Sequence, residues 1–439
     1  MNQDTLAIPE IALTHEDLWQ TGAASRKLAE AAERLGPVLR WSIPGEGDYL
    51  FLVGAEANRF VLHTGREHFS HDKGWTPVLG AMFGQGLLNM DDPLHARHRK
   101  MWNPAFTATA MEAYLPILTK VVADRTATWP GQPSIDAYSE SREITFDAAA
   151  VALAGFAAGP EVDRMRQLFY MMLNGPADGD WAAWEPTYGA AQLELMTTLL
   201  RMIGERRAAP ATATPHDVMA QMVRARDDDG NALSDEQLLA HLNILLVAGH
   251  ETTTTLSAWV LYLLATEHEQ RALITAEVDA LLDASDGTVT VEAIRGMKRL
   301  DLFIKEAGRL YSPVLNVPRG VVSDASFGGH TIPAGAQIRL ALAATHRMGR
   351  YFAEPERFDP DRFAPPREED RATPYSLVTF GGGSRICIGI SFAQIEVKLL
   401  AAHVLRHYTL AAQPHRPIHT GHWTASIPNG VALTVQARN

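Results

Sequence analysis

The only cysteine of the chain, Cys387, lies in the glycine-rich loop FGGGSRICIG at residues 380–389. The glycines allow backbone conformations and close approaches that a side chain would forbid. The next residues, ISFAQIEVKLLAAHVL, predict a helix, so the sulfur is expected near a helix N-terminus, where amides and the nearby Arg385 favour a thiolate. Such a thiolate can be a metal ligand, or a nucleophile if a base lies beside it. A small buried hydrophobic residue is the alternative.

A second candidate site is LLVAGHETTTT, residues 245–255, inside a predicted long helix that Ser234 and Gln237 cap at its start. Glycine and threonine form helices less readily than alanine or leucine, so their presence in mid-helix indicates a functional site. Packing of the threonines against a neighbouring helix is the alternative. His250 and Glu251 could begin the zinc motif H-E-x-x-H, but threonine stands where the second histidine would be, which excludes that motif.

A third candidate is the segment DDPLHARHRKMWNPAF. Asp92 is its predicted N-cap and Pro93 the first helical residue, which places His95 and Arg99 on one face of the helix. The other basic residues of the segment predict a solvated face; they are Arg97, His98 and Lys100.

Phe380, Gly383, Arg385, Cys387 and Gly389 together resemble the haem-binding signature F-x-x-G-x-R-x-C-x-G of the cytochrome P450 family. The resemblance implies the fold of that family, mainly α with a smaller β-rich part, and haem b as the cofactor. It also implies that Cys387 is the metal ligand, an axial thiolate that pushes electron density toward O–O cleavage.

AGHETT, residues 248–253, resembles the family motif A-G-x-[DE]-T-T, which crosses the haem opposite the thiolate. The resemblance implies that the small Ala248 and Gly249 leave space for O2. It further implies that Thr252 opens the helix locally by competing for a backbone carbonyl, and that Glu251 relays protons. O–O cleavage needs two protons, and general acid catalysis of this type contributes about 10²–10⁴-fold.

By the same matching, His95 and Arg99 correspond to the family's H-x-x-x-R, whose members bind a haem propionate. Arg319 in NVPRG and Arg385 are expected at the propionates as well.

Glu306 and Arg309 in FIKEAGRLYSPV have i,i+3 spacing, which alone indicates a weak exposed ion pair. The resemblance to the family's E-x-x-R helix instead implies a buried structural network with Arg357 of PERF.

Composition and charge limit the partners. The chain has 439 residues and a net charge of −12, so no overall basic field indicates nucleic acid. The acidic N-terminus lacks the features of a secretory signal, and the best apolar run, residues 256–265, is shorter than the about 18 residues that suggest a membrane span. A single cysteine suits a reducing compartment. We therefore expect a soluble, cytoplasmic protein without a membrane partner.

No repeat or linker divides the sequence, which predicts a single domain over residues 1–439. The expected β-rich part covers about 36–90 and 314–345, the helix-rich part about 91–313, and the cysteine loop with its following helix 380–408.

One cysteine cannot hold a [2Fe–2S] cluster by four thiolates, and no flavin motif is present. We therefore predict electrons from a separate ferredoxin with its reductase. The docking site is expected near Arg97, Lys100 and Lys398.

The predicted reaction is insertion of one atom of O2 into a small organic substrate. A peroxide-using haem-thiolate peroxygenase and a non-catalytic haem sensor or carrier are the alternatives.

By family position, Leu79–Leu88, 170–190 and Val314–Val317 are expected to line the distal cavity. Their apolar and aromatic character favours a hydrophobic or aromatic substrate, such as one of secondary metabolism, although core packing explains the same residues. The residues concerned are Phe83, Trp181, Trp184, Tyr188, Leu315 and Asn316.

Overall fold

The computed structural model describes residues 7–14, 16–17, 20–43, 47–174, 181–210, 217–414, 417–420 and 425–438. Helices make up most of this part of the chain. They are α1 Thr21–Leu35, α2 Ala55–Arg59, α3 Asp72–Phe83, α4 Leu94–Trp102, α5 Ala108–Thr126, α6 Ala137–Ala148, α7 Pro160–Asn174, α8 Trp181–Ala208, α9 Val218–Arg224, α10 Asp235–Thr266, α11 His268–Asp283, α12 Val291–Gly296, α13 Lys298–Leu310, α14 Leu342–Thr345, α15 Glu369–Ala372 and α16 Ile390–His407.

The strands form a smaller part of the fold. They are β1 Val38–Ile43, β2 Gly47–Leu52, β3 Phe69–Ser70, β4 Ile135–Asp136, β5 Val317–Val321, β6 Ala325–Phe327, β7 His330–Ile332, β8 Gln337–Leu340, β9 Tyr408–Ala412, β10 Ile418–Thr420, β11 Ile427–Asn429 and β12 Ala432–Ala437. The largest sheet has the order β1-β2-β8-β5-β3, in which β2 and β8 run parallel and the other neighbours antiparallel. This architecture confirms the predicted fold class, mainly α with a smaller β-rich part.

The long helix α10 lies at the centre of the helical core and packs against α6, α8, α13 and α16. The Ser234 hydroxyl accepts from the Gln237 N–H at 3.2 Å, and the Ser234 N–H donates to the Gln237 side chain at 2.9 Å, which confirms the predicted cap. Apolar residues bury α10 on nearly every side, as a helix enclosed by other helices requires. The few accessible positions on this helix therefore stand out.

The start of α4 differs from the prediction. The helix begins at Leu94, and Pro93 rather than Asp92 occupies the N-cap position. The carboxylate of Asp92 instead lies 3.3 Å from Nδ1 of His95 and 3.5 Å from Nη2 of Arg385. An ion pair with Arg385 and a contact with the neutral ring of His95 thus replace the predicted cap.

The predicted solvated face of α4 is wrong for His98. This side chain is buried, and its Nδ1 lies 2.7 Å from Nε2 of His241 on α10. The histidine thus joins α4 to α10.

Candidate active site

The loop that carries Cys387 turns tightly before α16. Gly381 and Gly383 have φ values of 72° and 63°, in the left-handed region that favours glycine. A Cβ on Gly383 would lie 2.2 Å from the carbonyl oxygen of Leu62, so the loop packs directly against another stretch of backbone. The Cys387 N–H donates to the Phe380 carbonyl at 2.9 Å and closes the turn. These contacts explain why the loop is rich in glycine.

The electrostatic surroundings of Cys387 differ from the prediction of a preformed thiolate. The side chain keeps accessible surface, but the protein around the sulfur raises its pKa by burial, although the N–H of Gly389 and the charge of Arg99 oppose this. Arg385 does not reverse the balance. The sulfur is therefore a thiol in the protein alone, and a metal ion would remove its proton, since a coordinating thiol is deprotonated.

Four basic side chains form a cluster at this loop: His71, His95, Arg319 and Arg385. The positive charges of some of them lower the pKa values of others. Arg319 on β5 is buried, donates to the carbonyl of its neighbour Pro318 at 2.6 Å, and has no partner for Nε among the described residues. Burial and then the charge of Arg385 lower the pKa of Arg319 to about 9, which leaves it cationic at neutral pH. Burial and then Arg385 lower the pKa of His95 to about 4. Burial and then Arg319 strongly lower the pKa of His71.

This cluster has too little negative charge around it. Asp91 and Asp92 are the carboxylates that act on Arg385. Asp91 already accepts the backbone N–H of His71 at 2.6 Å, and neither carboxylate hydrogen-bonds Nε of Arg319. A further anion would stabilise the cluster, and haem b carries two propionates. The basic residues therefore fit that cofactor.

One face of α10 borders accessible space. Ala248 is exposed and Thr252 half-buried, and the Thr252 hydroxyl donates to the Ala248 carbonyl at 3.0 Å. The predicted competition for a backbone carbonyl is therefore present, although α10 remains a continuous α-helix. Gly249 does not share this face, since a Cβ there would lie 3.6 Å from Leu153 and 3.7 Å from Ala149. Its small size allows close packing with that segment rather than access to the site.

The other threonines of the run are packing residues. Residues 253–255 are buried. The hydroxyl of Thr254 lies 2.6 Å from that of Thr145 on α6, and Thr255 donates to the Ser426 carbonyl at 2.8 Å. The packing alternative thus holds for these three, and the first threonine of the run is the one that borders accessible space.

Glu251 is held in a partly buried ion pair. Nε and Nη2 of Arg142 on α6 donate to its Oε1 at 2.8 and 2.6 Å, and the Tyr138 hydroxyl donates to Oε2 at 3.2 Å. Burial raises the pKa of Glu251, but the hydrogen bond from His250 and the charges of His250 and Arg142 outweigh it and hold the pKa at about 2. Glu251 is therefore a carboxylate at neutral pH. The sequence analysis missed Arg142 and Tyr138, for which no motif exists.

Glu306 and Arg309 on α13 form a fully buried pair, with two hydrogen bonds of 2.8 Å. The predicted third member, Arg357, is wrong: its side chain is 66% exposed and pairs with Glu354 at 3.0 Å. Arg362 takes its place, since its buried Nε donates to Glu306 at 3.0 Å. Arg357 contributes only its backbone carbonyl, which accepts from Arg309 and Arg362. The turn Pro360–Phe363 folds back so that the second arginine, not the first, points inward.

The predicted substrate residues lie in buried or half-buried positions. Phe83 ends α3 and is buried, as is Asn316, and Leu315 is half-buried. The loop after Phe83 packs on α10, since a Cβ on Gly86 would lie 2.6 Å from Ile244. Their contact with a substrate remains a prediction.

Of the 170–190 region, Trp184 is half-buried and Tyr188 packs against the helical core. The side chain of Trp181 and residues 175–180 lie outside the described residues.

The predicted docking residues divide into two groups. Arg97 and Lys100 are exposed, and each lies beside an aspartate of the 227–228 pair, at 3.6 and 2.6 Å. Lys398 is buried, donates to the Ile294 carbonyl at 3.1 Å and pairs with Asp301. Lys398 is therefore not available for docking.

A cysteine loop before a long helix, an anion-deficient cluster of basic residues and a central helix with an accessible alanine and threonine together fit a haem-thiolate class of protein. A family profile described as Cytochrome P450 matches residues 17–429. The chain therefore belongs to the cytochrome P450 family, whose cofactor is haem b, and it is an oxidoreductase of the monooxygenase type.

Similar proteins support this assignment. Cytochrome P450 136 of Mycobacterium tuberculosis is 28% identical over 395 residues, which cover 86% of this chain and 78% of the relative. Cytochrome P450 120 of Synechocystis is 28% identical over 389 residues, 87% of this chain and 85% of the relative. A solved structure of cyanobacterial CYP120A1 with bound retinoic acid has a TM-score of 0.82 at 25% identity and covers 93% of both chains. The haem domain of cytochrome P450DA shares the fold, with a TM-score of 0.85 at 23% identity over 98% of this chain and 97% of that one.

Among the residues that the structure describes, no helix has the length and apolarity required to cross a membrane.

Proposed function

We propose that Cys387 is the thiolate ligand of the haem iron in this monooxygenase, and that Arg319, Arg385 and His95 bind the propionates. The observation that carries this proposal is the buried guanidinium of Arg319, whose Nε has no partner among the described residues. Arg385 belongs both to the cysteine loop and to the basic cluster, so the thiol and the anion site lie close together. The charge of Arg99 acts on Cys387 and favours its thiolate form.

When bound, haem b supplies the activation of O2, and the side chains of the chain supply protons. We assign this role to Thr252 and Glu251. Thr252 borders the accessible face of α10. Its hydroxyl can leave the Ala248 carbonyl and donate its hydrogen bond to a water or to an oxygen atom on the substrate side instead. Glu251, the next residue along the helix, is a carboxylate that can accept and return a proton.

Replacement of Thr252 tests this function. We expect that Thr252→Ala lowers the product formed per electron several-fold and raises the hydrogen peroxide released, because protons no longer reach the oxygen in time. Product and peroxide are measured against the reductant consumed. Thr253→Ala also removes a threonine hydroxyl, but from a buried position, and serves as the matched control. Its ratio of product to reductant should stay close to that of the wild type. Equal coupling in both variants would contradict the assignment of Thr252, and absence of turnover in the wild type would favour a sensor or carrier.

We infer that the substrate is a hydrophobic or aromatic small molecule. The support is the apolar character of the loops around Phe83 and Leu315, and the retinoic acid bound by the similar cyanobacterial protein. Titration of the oxidised protein with retinoic acid and with smaller arenes should shift the Soret band toward the high-spin position for at least one of them. A response to polar compounds alone would contradict this substrate class.

We further propose that a separate ferredoxin with its reductase delivers electrons, and that it docks near Arg97 and Lys100. Their exposure supports this, whereas the buried Lys398 is no longer part of the proposed surface. The single cysteine of the chain suits a reducing, cytoplasmic location.

A further inference from the structure

His250 is a buried histidine whose two ring nitrogens both face acceptors. It has no accessible surface. Nδ1 lies 2.6 Å from the carbonyl oxygen of Leu246, and Nε2 lies 3.0 Å from Oε1 of Glu251. A neutral imidazole has one N–H and one lone pair, so it would point the lone pair at one of these oxygens. The imidazolium ion donates to both, so this geometry requires a second proton, either on the ring or on Glu251.

The surroundings determine on which of the two side chains this proton rests. Arg142 donates twice to Oε1 of Glu251, the same oxygen that faces His250. A carboxylate oxygen that accepts two N–H hydrogen bonds from an arginine favours the ionised form, so the shared proton lies on the histidine rather than on Glu251. The rings of Phe146 and His250 are nearly perpendicular, with 5.2 Å between their centroids, so Phe146 covers one side of the imidazole.

Other charged or titratable groups face the pair from α6 and α7. The Tyr138 hydroxyl donates to Glu251, and the ring of Tyr170 lies 6.4 Å from that of His250 and 3.9 Å from the guanidinium of Arg142. Several groups affect His250 and Glu251 by charge or hydrogen bonding, either directly or through Tyr170. They are Tyr138, Arg142, Glu143, Arg166 and Tyr170 itself. The aromatic hydroxyls remain neutral, since burial raises the pKa of both tyrosines.

We propose that His250 holds the proton that Glu251 passes on, so that the two side chains together form the proton donor of this site. The role rests on the proposed function. The Nε2–H bond breaks and an O–H bond forms on Oε1, which leaves a neutral imidazole that still donates from Nδ1 to Leu246. The carboxylic acid then gives its proton to a water that hydrogen-bonds the Thr252 hydroxyl, and Glu251 returns to the carboxylate. A proton from solvent enters at Glu251, whose side chain is 23% exposed, and returns to Nε2.

The protonation state of His250 can be measured without turnover. Histidine labelled with ¹⁵N in the reduced, carbon monoxide-bound protein shows whether one or both ring nitrogens carry a proton. We expect the signal of one ring with both nitrogens protonated, because Nδ1 and Nε2 of His250 each face an acceptor oxygen. That signal should vanish in His250→Gln and persist in His241→Gln, a control at another buried histidine of α10. A neutral ring at position 250 in the wild type would overturn the proposal even if the variants failed to fold.

The pH dependence of O2 consumption tests the role of this proton. Reduction by a photoreduced flavin avoids the need for a partner protein. We expect O2 consumption by His250→Gln at pH 8.5 to be about tenfold slower than that of the wild type, and to recover as the pH falls, because Glu251 must then take each proton from bulk solvent. His241→Gln should keep the rate and pH profile of the wild type. A His250→Gln protein with an unchanged profile would overturn the proposal.

These measurements distinguish an error in the proposed function from an error in the role of His250. If the reduced wild-type protein lacks the red-shifted carbon monoxide band, the proposed function is wrong, and the role of His250 with it. If the band is present but His250 is neutral, only the role of His250 is wrong.

Discussion

At the scale of single residues, the buried carboxylate of Glu306 depends on two guanidinium groups, and the two candidates for the second differ sharply. Arg362 is fully buried against Glu306, whereas Arg357 is exposed. We expect Arg362→Gln to lower the free energy of unfolding by about 3–5 kcal/mol, because it leaves buried charge with too few partners. Arg357→Gln should stay within about 0.5 kcal/mol of the wild type. Denaturant unfolding of both variants measures the difference, and equal losses would contradict the network described here.

Residues within one continuous motif could be predicted from the sequence, and residues that other segments bring to the site could not. Cys387 and Arg385 stand in one loop, and His95 follows at a helical spacing. His71 and Arg142 reach the site from distant parts of the chain without a motif of their own. In PERFDPDRF the sequence contains two arginines, and only the fold of the turn decides which one points inward. The raised pKa of the Cys387 thiol also escaped prediction, because it comes from protein that packs around the loop.

At the scale of elements, the helix α10 was the most predictable feature. Its capping box and its apolar pattern are local, and both appear in the structure. The surroundings that each residue in the middle of α10 faces were harder to predict, because they depend on which neighbouring segment packs against which face of the helix. Gly249 meets Ala149 and Leu153, while Ala248 borders accessible space.

Contacts between distant parts of the chain explain why the pairing of the strands and the burial of Lys398 were not predicted. The parallel pair β2 and β8 joins Tyr49 to Gln337, which no local signal in either strand indicates. Lys398 was expected at the surface because lysine usually is, but α16 buries it, and Asp301 on α13 pairs with it. The pairing supplies the counter-charge that makes burial of this lysine tolerable.

At the scale of the whole molecule, a net charge of −12 opposes the approach of an acidic ferredoxin, so the proposed docking depends on a local positive surface. We expect Arg97→Glu and Lys100→Glu to slow reduction by an acidic [2Fe–2S] ferredoxin about tenfold at low ionic strength, with a smaller difference as salt screens the charges. Stopped-flow reduction measures these rates.

The matched control for this surface is Lys120→Glu. Lys120 is similarly exposed and pairs with Asp124, and it lies on α5 rather than α4. Its replacement should leave reduction close to the wild-type rate. If all three variants behaved alike, the docking surface would lie elsewhere.

The measurement that tests the central claim most directly is the visible spectrum of the purified protein, reduced and then exposed to carbon monoxide. Thiolate ligation by Cys387 predicts a strongly red-shifted Soret band, and Cys387→Ser should lose it. The thiol of the protein alone has a raised pKa, so this band would also show that the sulfur releases its proton to solvent when it binds the iron. A band at the shorter wavelength typical of histidine or thiol ligation in the wild type would contradict the assignment of Cys387 as the thiolate ligand.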